Sequence, residues 1–303
     1  MANPTTATAT ANLSAEFVIL HLTDTHLMKD AGLHYGSVDT VTALQRVLRR
    51  ASSLAQVDLI ACSGDLSDDG SAESYALLQS QLEPWARARG AAIVYAMGNH
   101  DRPEGFGQVL GDGHDAFADR EASDGLYGVS NVTGLRVITL NSTVAGKGYG
   151  ALDPAQLLWL RGVLAEPSAN GSVVVLHHPP VAAETELLGA LQLHDPEALR
   201  DALTGGDVRL ILAGHYHYPM VDQFAGIPVV ISAAVCHLAD IFAEAGTESA
   251  FIGSGASIIR LPRNGGTPRI LPFSAMDASD AGDIRRVFHF NSETVARIIA
   301  AAG

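Results

Sequence analysis

Polar residues of one chemical kind recur where short apolar runs end: Asp24-Thr25-His26, Gly64-Asp65, Gly98-Asn99-His100-Asp101, His177-His178 and Gly214-His215-Tyr216-His217. All offer oxygen or imidazole donors. Carboxylate, amide carbonyl and imidazole together suit a divalent transition metal, whereas a soft-metal site uses thiolates and a calcium site oxygen alone. Asp24 and His26, like His215 and His217, are spaced by one residue and so can reach the same side of an extended strand end. Two cations ~3.5 to 4 Å apart need a shared carboxylate to relieve their repulsion. Asp65, alone between Gly64 and Leu66, is the candidate bridge. Gly64, Gly98 and Gly214 each come just before a candidate ligand, where a side chain would crowd the approach. Singly, each of these histidines reads as an ordinary residue, and Asp24 or Asp65 as a turn former. Five coincidences at strand ends, in a chain with 12 His, make a joint site the better reading.

The other polar residues have plainer expectations. His178 should support the loop before Pro179-Pro180, and Asp68 and Asp69 should shape theirs. Asp101 is expected to orient a neighbouring imidazole. His21, His34, His114, His194, His237 and His289 read as ordinary residues. Cys62 and Cys236 are too few for a disulfide framework and read as packing thiols.

To bring such residues together the chain needs a sheet whose strand ends converge. Apolar runs at Phe17–Leu22, Leu59–Cys62, Ala92–Met97, Leu135–Leu140, Val173–Leu176, Leu210–Ala213 and Ile227–Ile231 read as strands buried on both faces. Amphipathic stretches at Val38–Leu54, Ala72–Arg89, Pro154–Leu164 and Pro196–Leu203 read as helices, the last two opening on an Asp-Pro pair that suits a helix start. The alternation predicts a layered α/β domain. Further on, Ile258–Leu261 and Arg269–Phe273 are expected as strands, 275–283 as loose, and Glu293–Ala302 as a helix. Residues 1–13 are expected to be a disordered tail, 14–261 the main domain, and 262–303 an extension that caps the site or meets a partner.

The 303 residues are 47% hydrophobic and 17% charged, with a formal charge of -14 and only 19 Lys and Arg. That balance argues against a nucleic-acid or anionic-lipid partner, so an anionic substrate would be drawn in by bound cations. The opening stretch lacks the basic start and apolar core of a secretory signal. A cytoplasmic protein without stable membrane association is expected.

The five motifs in this order resemble the calcineurin-like metallophosphoesterases. Leu-Thr-Asp-Thr-His-Leu, Ala-Met-Gly-Asn-His-Asp, His-His-Pro-Pro and Ala-Gly-His-Tyr-His-Tyr are most similar to their bacterial class III cyclic-nucleotide phosphodiesterases. The resemblance implies a four-layer αββα sandwich, two mixed β-sheets flanked by helices, often assembled as dimers. It implies one metal held by Asp24, His26, Asp65 and His217, and a second by Asp65, Asn99, His177 and His215. Manganese and iron are expected first, with zinc, cobalt or magnesium as alternatives. Asn99, His100 and His217 would touch the substrate, and His100 would protonate the leaving oxygen. The implied reaction is hydrolysis of 3′,5′-cyclic AMP to 5′-AMP by in-line attack of a metal-bridging hydroxide. The rival readings are a broad-specificity or glycerophosphodiester phosphodiesterase on the same site, and a non-catalytic interaction module. Thr143–Ala151, with Lys147 and Tyr149, departs from relatives that carry histidines beside the site.

Overall fold

A computed structural model describes residues 15–114, 119–121, 126–275 and 285–302. The expected disordered tail, and most of the stretch expected to be loose, lie outside these residues. Among the described residues fifteen strands follow in order. They are β1 (Glu16–Leu22), β2 (Leu59–Ser63), β3 (Ala92–Ala96), β4 (Asp119–Glu121), β5 (Gly128–Val132), β6 (Leu135–Thr139), β7 (Ser172–Val175), β8 (Val208–Ala213), β9 (Met220–Phe224), β10 (Ile227–Ile231), β11 (Leu238–Ala239), β12 (Glu248–Phe251), β13 (Gly255–Pro262), β14 (Arg269–Ser274) and β15 (Arg286–Phe290). The helices are α1 (Thr40–Arg50), α2 (Ala72–Arg87), α3 (Pro103–Leu110), α4 (Pro154–Leu164), α5 (Glu186–Ala190), α6 (Pro196–Leu203) and α7 (Ser292–Ala302).

One sheet has the order β14-β13-β1-β2-β3 and the second β4-β5-β6-β7-β8-β10-β9. Both are mixed: β1, β2 and β3 run parallel, as do β6, β7, β8 and β10, while antiparallel strands lie at one edge of the first sheet and at both edges of the second. The two-residue period of a strand sorts each run between two cores. Phe17 and Ile19 of β1 pack with Val137, Val173 and Leu212 of the facing sheet. Val18, Leu20 and Leu22 turn the other way, onto Leu44 and Val47 of α1 and Leu78 and Leu82 of α2. Likewise Val174 and Ile211 face Leu160 of α4 and Leu199 of α6. The result is the expected αββα sandwich.

Elements the sequence did not announce are α3, α5, β4, β5, β9 and a small sheet of order β11-β12-β15. Through β14 and β15 the 262–303 stretch pairs with β13 and β12. No helix among the described residues is long and apolar enough to cross a membrane.

Candidate dinuclear metal site

The parallel strands of both sheets end on the same side, and the loops beyond β1, β2, β3, β7 and β8 carry the candidate residues. Five of them have left-handed backbone: Asp24 (φ 52°), His26 (φ 42°), Asp65 (φ 49°), His215 (φ 70°) and His217 (φ 58°). The loops are held in register by main-chain hydrogen bonds, with Asp24 N–H donating to Gly64 O at 3.0 Å and His26 N–H to Asp65 O at 3.0 Å. Close packing explains the glycines. A Cβ on Gly98 would sit 2.3 Å from Asp65 N, and one on Gly214 1.8 Å from Thr23 Oγ1.

Asp65 stands at the centre. Its Oδ2 lies 3.3 Å from His177 Nε2 and 3.5 Å from His26 Nε2, and its Oδ1 accepts from His100 N–H at 2.8 Å. Asn99 Oδ1 lies 3.2 Å from His177 Nε2. On one flank Asp24 Oδ1 is 3.1 Å from His217 Nε2, while Thr23 Oγ1 and His215 N–H donate to the Asp24 carboxylate. On the other flank the His177 and His215 ring centroids are 5.0 Å apart. All eight expected site residues therefore converge.

Hydrogen bonds settle which nitrogen each imidazole presents. His177 donates Nδ1–H to Ser63 O at 2.9 Å, and His26 donates Nδ1–H to Asp68 Oδ1 at 3.0 Å, so each turns Nε2 towards Asp65. His215 instead donates Nε2–H to Leu191 O at 3.0 Å and keeps Nδ1 free. Nitrogen lone pairs aimed at one buried carboxylate repel it unless a proton or a metal ion lies between. His26 Nε2 is buried with no hydrogen-bond partner. The donor set and this orphaned atom both fit a pair of divalent cations.

Electrostatics agree. Burial alone would raise the Asp24 and Asp65 carboxyls, yet His217 beside Asp24, and His177 and His100 beside Asp65, bring both below the usual range. Burial would lower His177 and His100, but Asp65 overrides it and raises each to about 9. Against its own burial, His217 is held well above the usual value by Asp24. His26 is pushed down to about 4 by burial, opposed by its Asp68 hydrogen bond. His215 is pushed down to about 3 by burial and His177. Metal-free protein therefore owes part of its stability to charged His177, His100 and His217. The part due to His177 and His100 is complete below the unfolded value of 6.5 and is lost as pH rises through about 9. Thermal unfolding in chelator should show the melting temperature falling across that window; a steady rise would refute it.

Several histidines and acids depart from the plainer expectations. Asp101 orients no imidazole: its carboxylate accepts from Leu66, Ser67 and Gly98 N–H and from the Tyr75 hydroxyl, fixing the β2 and β3 loops. Asp68 Oδ1 faces His26, His34 and His100 at 3.0, 3.3 and 3.1 Å. His34 and His237 are not ordinary residues. Their rings stack 5.2 Å apart, with His34 4.6 Å from His26 and His237 4.4 Å from His217. Cys236 is more than packing, since its Sγ lies 3.2 Å from His237 Nδ1 and 3.7 Å from His217 Nδ1. The Cys-His pair shortly after β10 repeats the strand-end pattern of the other motifs and could have marked them. His178 behaves as expected, accepting from Ser142 Oγ and donating to Gly148 O. Asp69 holds Lys29, Ser67 and Ser71 in its loop. Lys147 turns away to the Ala301 carbonyl, and Tyr149 stacks on His194 at 4.0 Å.

Comparison with known proteins agrees with this geometry. The calcineurin-like phosphoesterase family model matches residues 17–219. A probable cyclic nucleotide phosphodiesterase of Rhodococcus erythropolis is 42% identical over 75% of this chain and 74% of its own. A cAMP/cGMP dual specificity phosphodiesterase of Mycobacterium tuberculosis is 37% identical over 76% and 71%. The crystal structure of a dimetal phosphatase from Danio rerio superposes with a TM-score of 0.55 at 14% identity, over 85% of this chain and 99% of that one, a likeness of fold. With 203 of its residues matched in motif order and the sandwich in place, the chain belongs to the calcineurin-like phosphoesterase family.

Proposed function

We propose that the protein is a 3′,5′-cyclic-nucleotide phosphodiesterase that opens cyclic AMP to 5′-AMP. The observation that carries this reading is Asp65, set between two imidazole clusters that both turn a nitrogen towards it. Asp24, His26, Asp65 and His217 would hold one cation, and Asp65, Asn99, His177 and His215 the other. Such a pair, when bound, supplies the positive charge that steadies a phosphodiester and acidifies a water molecule towards a pKa of ~7. The rest is done by the chain. Asp24 and Asp65 return two negative charges, leaving a net of about +2 for an anionic substrate in a protein of charge -14. His100, 40% exposed at the rim and anchored through Nδ1–H to Asp68 Oδ1 at 3.1 Å, carries the proton that the departing ribose 3′-oxygen needs. Asn99, His100 and His217 touch the phosphate.

The substrate class is supported by the names of the relatives at 42% and 37% identity. Manganese or iron, a homodimer and a cytoplasmic site of action belong to the same reading. Exposed Phe242 and Ile241 offer apolar surface for the dimer. The 262–303 extension is proposed to cap the site, as Phe288 of β15 lies 5.7 Å from the His237 ring.

Turnover of cyclic AMP, glycerophosphocholine and bis(p-nitrophenyl) phosphate, compared under one metal condition, tests the reading; no preference for cyclic AMP over glycerophosphocholine would overturn the substrate. Asn99→Ala should leave the fold intact, cost one cation per chain and lower turnover by about 10²-fold or more. Metal analysis beside the assay checks it, and a wild-type cation content with near-normal turnover would remove Asn99 from the site.

A further inference from the structure

Three buried residues beside the site have no part in the chemistry above: His34, between β1 and α1, and Cys236 and His237, after β10. Each offers one donor atom, and the three donors lie within 4.8 Å of one another. His34 is 3% exposed, yet neither of its ring nitrogens has a hydrogen-bond partner. Nδ1 merely faces Asp68 Oδ1 at 3.3 Å. Leaving a buried polar atom unsatisfied is destabilising, and an apolar side chain of similar size would avoid that cost. Instead the His34 ring lies within 16° of parallel to the His237 ring, which brings its two unpartnered nitrogens beside the Cys236-His237 pair.

The donor types define what would. Two imidazoles and a thiolate around a fourth open position form a set that takes zinc or cobalt tetrahedrally. With Zn–S near 2.3 Å and Zn–N near 2.1 Å, neighbouring ligands stand about 3.6 Å apart; Cys236 Sγ and His237 Nδ1 are already 3.2 Å apart. His237 would then bridge two functions. Its Nε2, 3.0 Å from His217 Nδ1, accepts that residue's proton, and without the ion its Nδ1–H points to Cys236 Sγ at 3.2 Å.

We propose that His34, Cys236 and His237 bind a further divalent transition-metal ion, separate from the pair gathered around Asp65. On binding, the Cys236 S–H proton and the His237 Nδ1–H proton pass to solvent, the thiolate sulfur and the freed Nδ1 lone pair bond the ion, and no oxidation state changes. The Cys236 thiolate and the His237 imidazolate balance the ion's two positive charges. The Cys236 donor also lies within 4.8 Å of the His26 and His217 donors. A test must therefore tell a thiolate on the further ion from one on the ion held at His26.

Cobalt(II) loading of the full-length protein does so, because the ligands proposed around Asp65 are all oxygen and nitrogen. Wild-type protein should hold three cobalt ions per chain after gel filtration and show a near-ultraviolet thiolate-to-cobalt absorption band. Cys236→Ser should lose the band and one ion, and His34→Phe the same. Asn99→Ala should lose an ion but keep the band, which separates this inference from the assignment of the phosphodiesterase site. Two ions in wild-type protein with no thiolate band would overturn the proposal. So would a band that survives in folded His34→Phe, since Cys236 would then serve the His26 ion.

Discussion

Asp65→Ala is expected to abolish measurable turnover, a loss of at least about 10³-fold in kcat/KM or ~4 kcal/mol, and to strip both cations at once. Asp65 Oδ2 is the one acceptor that both the His26 and His177 rings approach, at 3.5 and 3.3 Å, so its removal leaves two buried clusters with no shared anion. It also frees the His100 main-chain N–H that Oδ1 accepts at 2.8 Å, loosening the loop that presents the proposed acid. The fold should persist, because the β1 and β2 loops remain joined through Gly64 O and the residue 65 carbonyl. Asn99→Ala, by contrast, touches one cluster. Metal content and turnover measured on the same samples decide the matter: an Asp65→Ala protein that keeps two tightly bound ions would show that the bridge lies elsewhere.

His100→Gln should give a loss that depends on the leaving group. A positioned general acid contributes roughly 10²- to 10⁴-fold when the departing oxygen is a poor leaving group. The ribose 3′-alkoxide is one, and p-nitrophenolate is not. Cyclic AMP turnover should therefore fall by about 10²-fold or more, while bis(p-nitrophenyl) phosphate turnover falls much less. Metal content should not change, since the His100 ring is bound through Nδ1 to Asp68 and is not among the ligands proposed for either cation. Equal losses on both substrates would reduce His100 to a phosphate contact. His100 lies raised, to about 9, because Asp65 and Asp68 outweigh burial, so the metal-free protein already holds the proton at neutral pH.

Much of the architecture was legible because it rests on uninterrupted apolar runs. Ile227–Ile231, Pro154–Leu164 and Pro196–Leu203 fall as read, and the other early strands lie within about two residues of their runs. What stayed hidden lacked that signal. In β5 the Gly-Val-Ser-Asn-Val sequence mixes polar residues into an antiparallel pairing with β6. In β9, an edge strand, Val221, Asp222 and Gln223 are exposed, so hydropathy marks no strand.

The site was legible for a different reason. Its eight residues sit directly after strand ends, and the topology collects those ends. His34 escaped because its place depends on a loop fold and on a ring stack, neither of which has a sequence period, whereas His237 follows a strand end as the other motifs do and was passed over. Asp101 was misread because its partners are main-chain amides, which no side-chain motif records.

The left-handed backbone at Asp24, His26, Asp65, His215 and His217 has a kinetic consequence. Each such residue costs on the order of 1 kcal/mol or more, a cost met by the surrounding structure when the chain folds. An arriving ion would thus find its cage already wound, so capture should be set by encounter and shedding of water. Departure should not let the coil relax, and a depleted molecule should reload without refolding its rim.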